Sequence, residues 1–263
     1  MDNYQVKHSI MQNKLIKNSF IKSRYIFSLT TIIIFVFVWV LLSNNANNSY
    51  AFPSLSVIGD SFKKLLVEYN IVVLKTILKI VISVFVGVII SLGIVALYIL
   101  KKDLIGFFEP ILEFLHVVPI IGISLYLFLI FDDLSTPPYV ITVMVVVPII
   151  VKALVTAIDN IDKNVLDALK LEQVTFSQKL FNVYIPLIMP YFLMALLQSF
   201  SLGVKAMIMG EYICYVNGSL GALMYNSKLE DNGLLIAILL VLFLISILCE
   251  VVVKAIQRKL VNY

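Results

Sequence analysis

The stretch "IVISVFVGVIISLGIVALYIL" (Ile80–Leu100) decides the fold, because it fixes the solvent in which the chain folds. It carries no charge, and its length matches the about 20 residues that a helix needs to cross a ~30 Å hydrocarbon core. Comparable runs recur at Ile26–Leu42, Ile111–Phe131, Tyr139–Ile158, Leu187–Met209 and Leu234–Val253, making six in all. The 263-residue chain is 61% hydrophobic and 14% charged, with a mean hydropathy of +1.01. Globular chains average roughly 25% charged residues, so a water-soluble fold would lack the polar surface to cover itself. Backbone groups in lipid must pair internally, which leaves helices or a closed barrel. Continuous apolar runs without strict alternation select helices. The sequence thus predicts an all-α polytopic membrane protein with six transmembrane helices. Residues 1–25 read as a basic cytoplasmic tail and 26–263 as a single transmembrane domain, without internal repeats or low-complexity blocks.

Basic residues set the orientation. Lys7, Lys14, Lys17, Lys22 and Arg24 precede the first run, and with that end inside, 14 of the 20 Lys and Arg fall on cytoplasmic segments. Outer segments keep Lys63, Lys64, Lys75, Lys79 and Lys228 beside the acidic pairs Asp132-Asp133 and Glu230-Asp231. The positive-inside rule therefore places both termini in the cytoplasm. This bias accounts for the net charge of +4 without invoking nucleic acid. The first run could also serve as a cleaved signal peptide, but Ile26–Leu42 is long for a signal core and contains Trp39. Cleavage would also leave an odd number of spans, so an uncleaved helix is expected. Cys214 and Cys249 stand far apart in apolar surroundings, and read as packing residues.

The longest outer connection is Ser43–Asn70, where Leu55, Ile58, Phe62, Leu65 and Leu66 recur at helical spacing. A short interfacial helix capped by Ser54 or Ser56 is expected there. Ser83, Gly87 and Ser91 follow at four-residue intervals, a spacing that permits close helix approach in lipid or merely fills space.

Several chemistries are absent from the sequence. It contains no phosphate-cradling GxxxxGK[ST] and no HExxH, CxxC or GxSxG, so neither a P-loop nor a metal centre is expected. His8 lies in the basic tail, and His116 lies on an apolar helix as a packing residue or a site residue.

The inner connection of about 159–190 contains "DALKLEQVTFSQKLFNVYIPLIMPYF" (Asp167–Phe192), which is polar in an otherwise apolar chain. Connectors between helices usually take 2–8 residues. Val165, Leu166, Leu169, Phe176 and Leu180 fall near one helical face, with Asp167, Lys170, Thr175 and Ser177 on others. Such a ridge can lie in the interface or dock into a groove on a protein partner. Pro186 and Pro190 remove helical donors, and are expected to hold this segment apart from the next span.

Asp167-Ala168-Leu169, followed by "YIPLIMPYF", resembles the EAA loop of bacterial ABC importer permeases. "AFPSLSVIGDSFKKLL", "FFEPILEFLHVVPIIGISLYLFLIF" and "SLGVKAMIMGEYICYVNGSLGALMYNS" are similar to segments of the nitrate/sulfonate/taurine branch. The loop departs from the family pattern with Asp167 for Glu, Leu169 for Ala and Gln173 for the usual glycine. Pro119 stands with Val117 in place of a proline pair. The resemblance implies a permease, not an enzyme, working as a homodimer in the bacterial inner membrane. It implies a cytoplasmic ATPase partner holding ATP and Mg, and an extracytoplasmic binding protein that delivers the solute. It also implies that Asp167, Ala168, Leu169, Gln173, Phe176, Pro186 and Pro190 form the ATPase-docking loop.

Lys205 lies about 15 residues past Pro190, roughly 22 Å into the core at ~1.5 Å per residue. It either snorkels to the headgroups or faces the pathway and meets an anionic solute or a gate carboxylate. Glu211 and His116 are the other pathway or gate candidates. The alternative function is a secondary transporter without an ATPase, which would show paired broken helices in two halves. Topology is the first test. Engineered cysteines at Asn47, Asp133 and Asn232 are expected to label from outside, and those at Lys102, Ser177 and Asn262 only from inside. Outside labelling at Ser177 would overturn the orientation.

Overall fold

The computed structural model describes residues 27, 29–44, 51–165 and 175–261, and every regular element among them is helical. The longer ones are α1 (Leu29–Ser43), α2 (Leu55–Val67), α3 (Asn70–Leu100), α4 (Ile105–Val117) and α5 (Ile120–Ile130), then α6 (Pro137–Asp159), α7 (Ile185–Ile213), α8 (Leu220–Glu230) and α9 (Asn232–Val261). Four described helices are long and apolar enough to cross a bilayer, or five if α4 and α5 count as one broken span. The apolar α1 is shorter than a full crossing.

Two compact units divide the chain within α2, at Asp60. In the first, the Trp39 indole donates to the Pro53 carbonyl at 3.1 Å and meets the Phe52 ring edge-on at 5.3 Å. This bond folds the chain back after α1. Ser54 is the cap of α2, its hydroxyl accepting from the Val57 N–H at 3.4 Å.

The second unit is organised by α6, which packs against both α3 and α7. Val146 of α6 is fully buried where these three helices meet. A Cβ added at Gly87 of α3 would lie 2.6 Å from Val146 Cγ1, and one at Gly203 of α7 would lie 3.2 Å from Val84 Cγ2. Ser91 donates to the Gly87 carbonyl at 2.7 Å. The small residues at 83, 87 and 91 thus serve close approach: Ser83 and Ser91 are buried, and Gly87 admits Val146.

Three elements differ from the sequence reading. Helix α3 starts ten residues before Ile80, because Lys79 finds a carboxylate partner inside the protein and the helix continues through it. The expected third span bends by 103° between α4 and α5. Pro119 is the reason: the residue before a proline is driven out of the α region, and Val118 has φ −65° and ψ 132°. Pro186 and Pro190 do not separate the preceding segment from the next span, since the chain is helical from Ser177 to Ile213. A wider π-helical turn, Leu180–Tyr184, immediately precedes α7 and relieves the clash between a proline ring and the carbonyl four residues back.

The connection into α6 is held by Asp133, whose carboxylate accepts from the Ser135 backbone and hydroxyl and from the Thr136 hydroxyl. The Ser135 hydroxyl, then the Ser135 N–H and Thr136, hold the Asp133 carboxyl below the usual carboxylate range. Pro137 and Pro138 begin α6, where their missing donors cost nothing.

Gly87→Ala is expected to lower thermal stability in detergent by about 1–3 kcal/mol through overpacking at Val146. Gly93→Ala on the same helix meets open space and is expected to be neutral or stabilising. Equal melting curves for the two variants would remove Gly87 from the packing account.

Candidate functional site

Helices α7, α8 and α9 enclose a cleft of about 1100 Å³ that runs from Met194 and Glu250 at one end to Tyr212 and Lys228 at the other. Most of its wall is apolar side chain, including Leu197, Val204, Leu239 and Phe243. Gln198, Ser201 and Ser246 add hydroxyl and amide groups. Lys205 is exposed, and lies on the face of α7 that lines this cleft. Glu250 forms an ion pair with Lys254 one turn along α9. Lys228 lies 3.6 Å from the Tyr225 ring centre and 5.6 Å from that of Tyr212, joining α8 to α7 by cation–π contact.

Beside the cleft sits a buried polar cluster. Glu211, near the end of α7, has no solvent exposure. Its carboxylate accepts from Lys79 Nζ at 3.0 Å, with the Thr76 hydroxyl 3.1 Å from both of its oxygens. The Gly221 N–H donates to it at 3.2 Å, and the Thr76 hydroxyl accepts from the Leu220 N–H at 3.1 Å. The next two N–H groups of α8, those of Ala222 and Leu223, go to the Ser219 hydroxyl and carbonyl. The Leu220, Gly221 and Ala222 N–H groups, which have no acceptor within the helix, are therefore all satisfied. Glycine is required at 221, because a Cβ there would stand 2.4 Å from Glu211 Cβ and 2.5 Å from the Tyr212 nitrogen.

The chain reaches this arrangement by a tight turn after α7. Tyr215 takes φ +47°, and the Val216 N–H donates to the Glu211 carbonyl at 3.1 Å, closing the helix as glycine more often does. Gly218 supplies a second positive φ of +71° before the Ser219 cap.

The sequence candidates are dispersed. Lys205 lines the cleft, whereas Glu211 is sealed in the polar cluster and pairs with Lys79 of α3. His116 is exposed in the last turn of α4, beside the 103° bend and away from the cleft lining. One turn earlier on α4, Glu113 pairs with Lys152 of α6 at 2.8 Å. Asp167, Ala168, Leu169 and Gln173 lie outside the described residues; Phe176 opens the helical turn that leads through Pro186 and Pro190 into α7. Both ends of that loop rest on one core: Ile161 at its start and Tyr184 at its end are buried in the cluster that holds Leu154 and Ile158. Asp159, where the loop leaves α6, accepts from the Tyr98 hydroxyl at 2.5 Å and from Lys102 at 2.6 Å.

Thr76, Lys79 and Gly221 were not legible as partners of Glu211. The available signal was two opposite charges, Lys79 and Glu211, set in otherwise apolar stretches of two helices.

A family model described as "Binding-protein-dependent transport system inner membrane component" matches residues 89–262. The fold is similar to an inward-facing structure of the MetNI methionine ABC transporter in its CY5 native crystal form. The TM-score is 0.63 at 20% identity, over 72% of this chain and 94% of that one. The SeMet-soaked CY5 form gives 0.62 at 16% identity, over 74% and 97%. At these identities the likeness is one of fold. No curated protein matches the chain.

Removing one partner of a buried ion pair costs about 3–5 kcal/mol, because the other charge is left uncompensated. Lys79→Met is therefore expected to destabilise strongly, and Lys79→Met with Glu211→Gln to recover much of the loss. Additive losses in this double-mutant cycle, measured by unfolding in detergent, would deny the coupling.

Proposed function

Because the chain belongs to the family of binding-protein-dependent transport system inner membrane components, we propose that it is the permease subunit of an ATP-driven importer. Members of this family are membrane-embedded transport subunits of ABC importers and are not themselves enzymes. In this reading the chain spans the bacterial inner membrane six times, with both termini cytoplasmic. The four long helices and the α4–α5 pair taken as one broken span support five of these crossings, and the sixth is assigned to the run that contains the shorter apolar helix α1. Two copies form the translocation path for a small solute delivered by an extracytoplasmic binding protein. A separate ATPase holds ATP and Mg and docks on the loop of residues 159–190, with Asp167, Ala168, Leu169, Gln173 and Phe176 as its docking residues.

The observation that carries this reading is the apolar cleft with an exposed lysine in its wall. An ammonium group left in hydrocarbon costs at least ~2.5–3.5 kcal/mol on insertion scales, and an aqueous path removes that cost. Among the described residues Lys205 has no ion-pair or hydrogen-bond partner, so it is available to a negative group on the solute. Coupling has a route as well, since both ends of the loop are seated on the core that joins α3, α6 and α7.

Docking and passage are tested by separate variants. Leu169→Asp would put an unpaired charge into the ATPase interface, and is expected to abolish co-purification of the ATPase without preventing membrane insertion. Thr175→Ala is expected to do much less. Lys205→Met is expected to keep the ATPase bound while uptake of radiolabelled taurine, sulfonate or nitrate falls. Retention of the ATPase by Leu169→Asp would remove that face from docking, and normal uptake by Lys205→Met would remove Lys205 from the path.

A further inference from the structure

We infer that Glu211, braced by Lys79 and Thr76, is a positioning residue that seats helix α8 as the outer wall of the cleft. The inference rests on the permease reading above, and concerns the end of the cleft near Tyr212. Three observations converge on it. The first two N–H groups of α8 bond to Thr76 of α3 and Glu211 of α7, so the start of this helix is bound to other elements. The approach is so close that no side chain fits at Gly221. Helix α8 then contributes Met224 and Lys228 to the cleft lining, and the residue after Glu211, Tyr212, lines it too.

The helix is short, and turns bound it on both sides. It has 11 residues, entered through the positive-φ turn at Tyr215 and Gly218 and left at Asp231, whose carboxylate accepts from the Leu234 N–H at 2.9 Å. Its first residue, Leu220, is fully buried with Leu65, Val73 and Ile238, so the seat is apolar beneath and polar at the helix start. A carboxylate sealed from solvent cannot exchange its partners for water. Loss of the Lys79 charge or of the Gly221 approach therefore acts on α8 directly, while the α3–α6–α7 core around Val146 lies elsewhere. Lys228, stacked on Tyr212 and Tyr225, is the second attachment of α8 to α7, and moves with it. Glu211 thus governs access to the path without touching the solute.

The test uses the full chain with Cys214→Ala and Cys249→Ala. Spin labels at Lys75 of α3 and Glu230 of α8 report the seating of the helix. In right-side-out vesicles, Met209→Cys in the cleft reports access to a membrane-impermeant maleimide. The parent is expected to give one narrow distance and slow labelling. Gly221→Ala and Lys79→Met are expected to broaden the distance and raise the labelling rate severalfold, and Lys79→Arg to restore both. A role in stability alone would lower the melting temperature and leave both readouts unchanged well below it. Unchanged distance in Gly221→Ala and Lys79→Met, or a broadened distance with unchanged labelling, overturns the inference. Should Gly221→Ala fail to fold, Thr76→Val carries the same expectation, since it removes only the hydroxyl that receives the Leu220 N–H. Loss of ATPase co-purification from the parent would sink the permease reading instead, and the distance measurement would stand apart from it.

Discussion

A carboxylate without access to water has to be held by other parts of the protein, and Glu211 gathers three of them. Lys79 and Thr76 come from α3, the carboxylate from α7, and the Gly221 N–H from the start of α8. In a soluble protein, solvent could complete such a set. Within hydrocarbon each missing partner costs several kcal/mol, so the helices must supply all of them together. That requirement fixes the positions of α3, α7 and α8 relative to one another at one end of the cleft.

A second constraint is steric. Helices in lipid gain little from burying apolar surface against each other, so their association depends on close packing. Gly87, Ser91 and Gly203 let α3 and α7 approach α6, with Val146 filling the space between. The apolar core and the polar cluster are therefore complementary. One brings α3, α6 and α7 into contact by shape, and the other sets how α8 meets α3 and α7 by charge and hydrogen bonding.

Much of the fold was legible in local pattern. Apolar runs of near-bilayer length mark the long helices, and Ser54 before a helical repeat marks the start of α2. Positions with a nonlocal cause were not legible. The break at Pro119 required the angle between two helices, since a proline stops helical φ and ψ but does not say whether the chain then continues straight. Pro186 and Pro190 showed the reverse: their local rule predicts an interruption, and the π turn absorbs it. Glu211 was readable as an intramembrane charge, but its partner lies 132 residues away on another helix. Spacing within one helix could say only that Lys205 and Glu211 do not share a face.

What the sequence determined by itself was the solvent, the helical class and the residues that need explaining. Hydropathy depends on composition over about 20 consecutive residues, and backbone pairing in lipid leaves a helix as the outcome for such a run. Tertiary structure alone decided which of the lone charges is sealed and which is exposed. Lys79 and Lys205 are both lysines in apolar helices, yet one completes a buried ion pair and the other lines a cleft. The physical reason is that the free energy of a charge in a low-dielectric setting is set by what stands within a few ångströms of it. For these two residues, those neighbours come from helices distant in the chain.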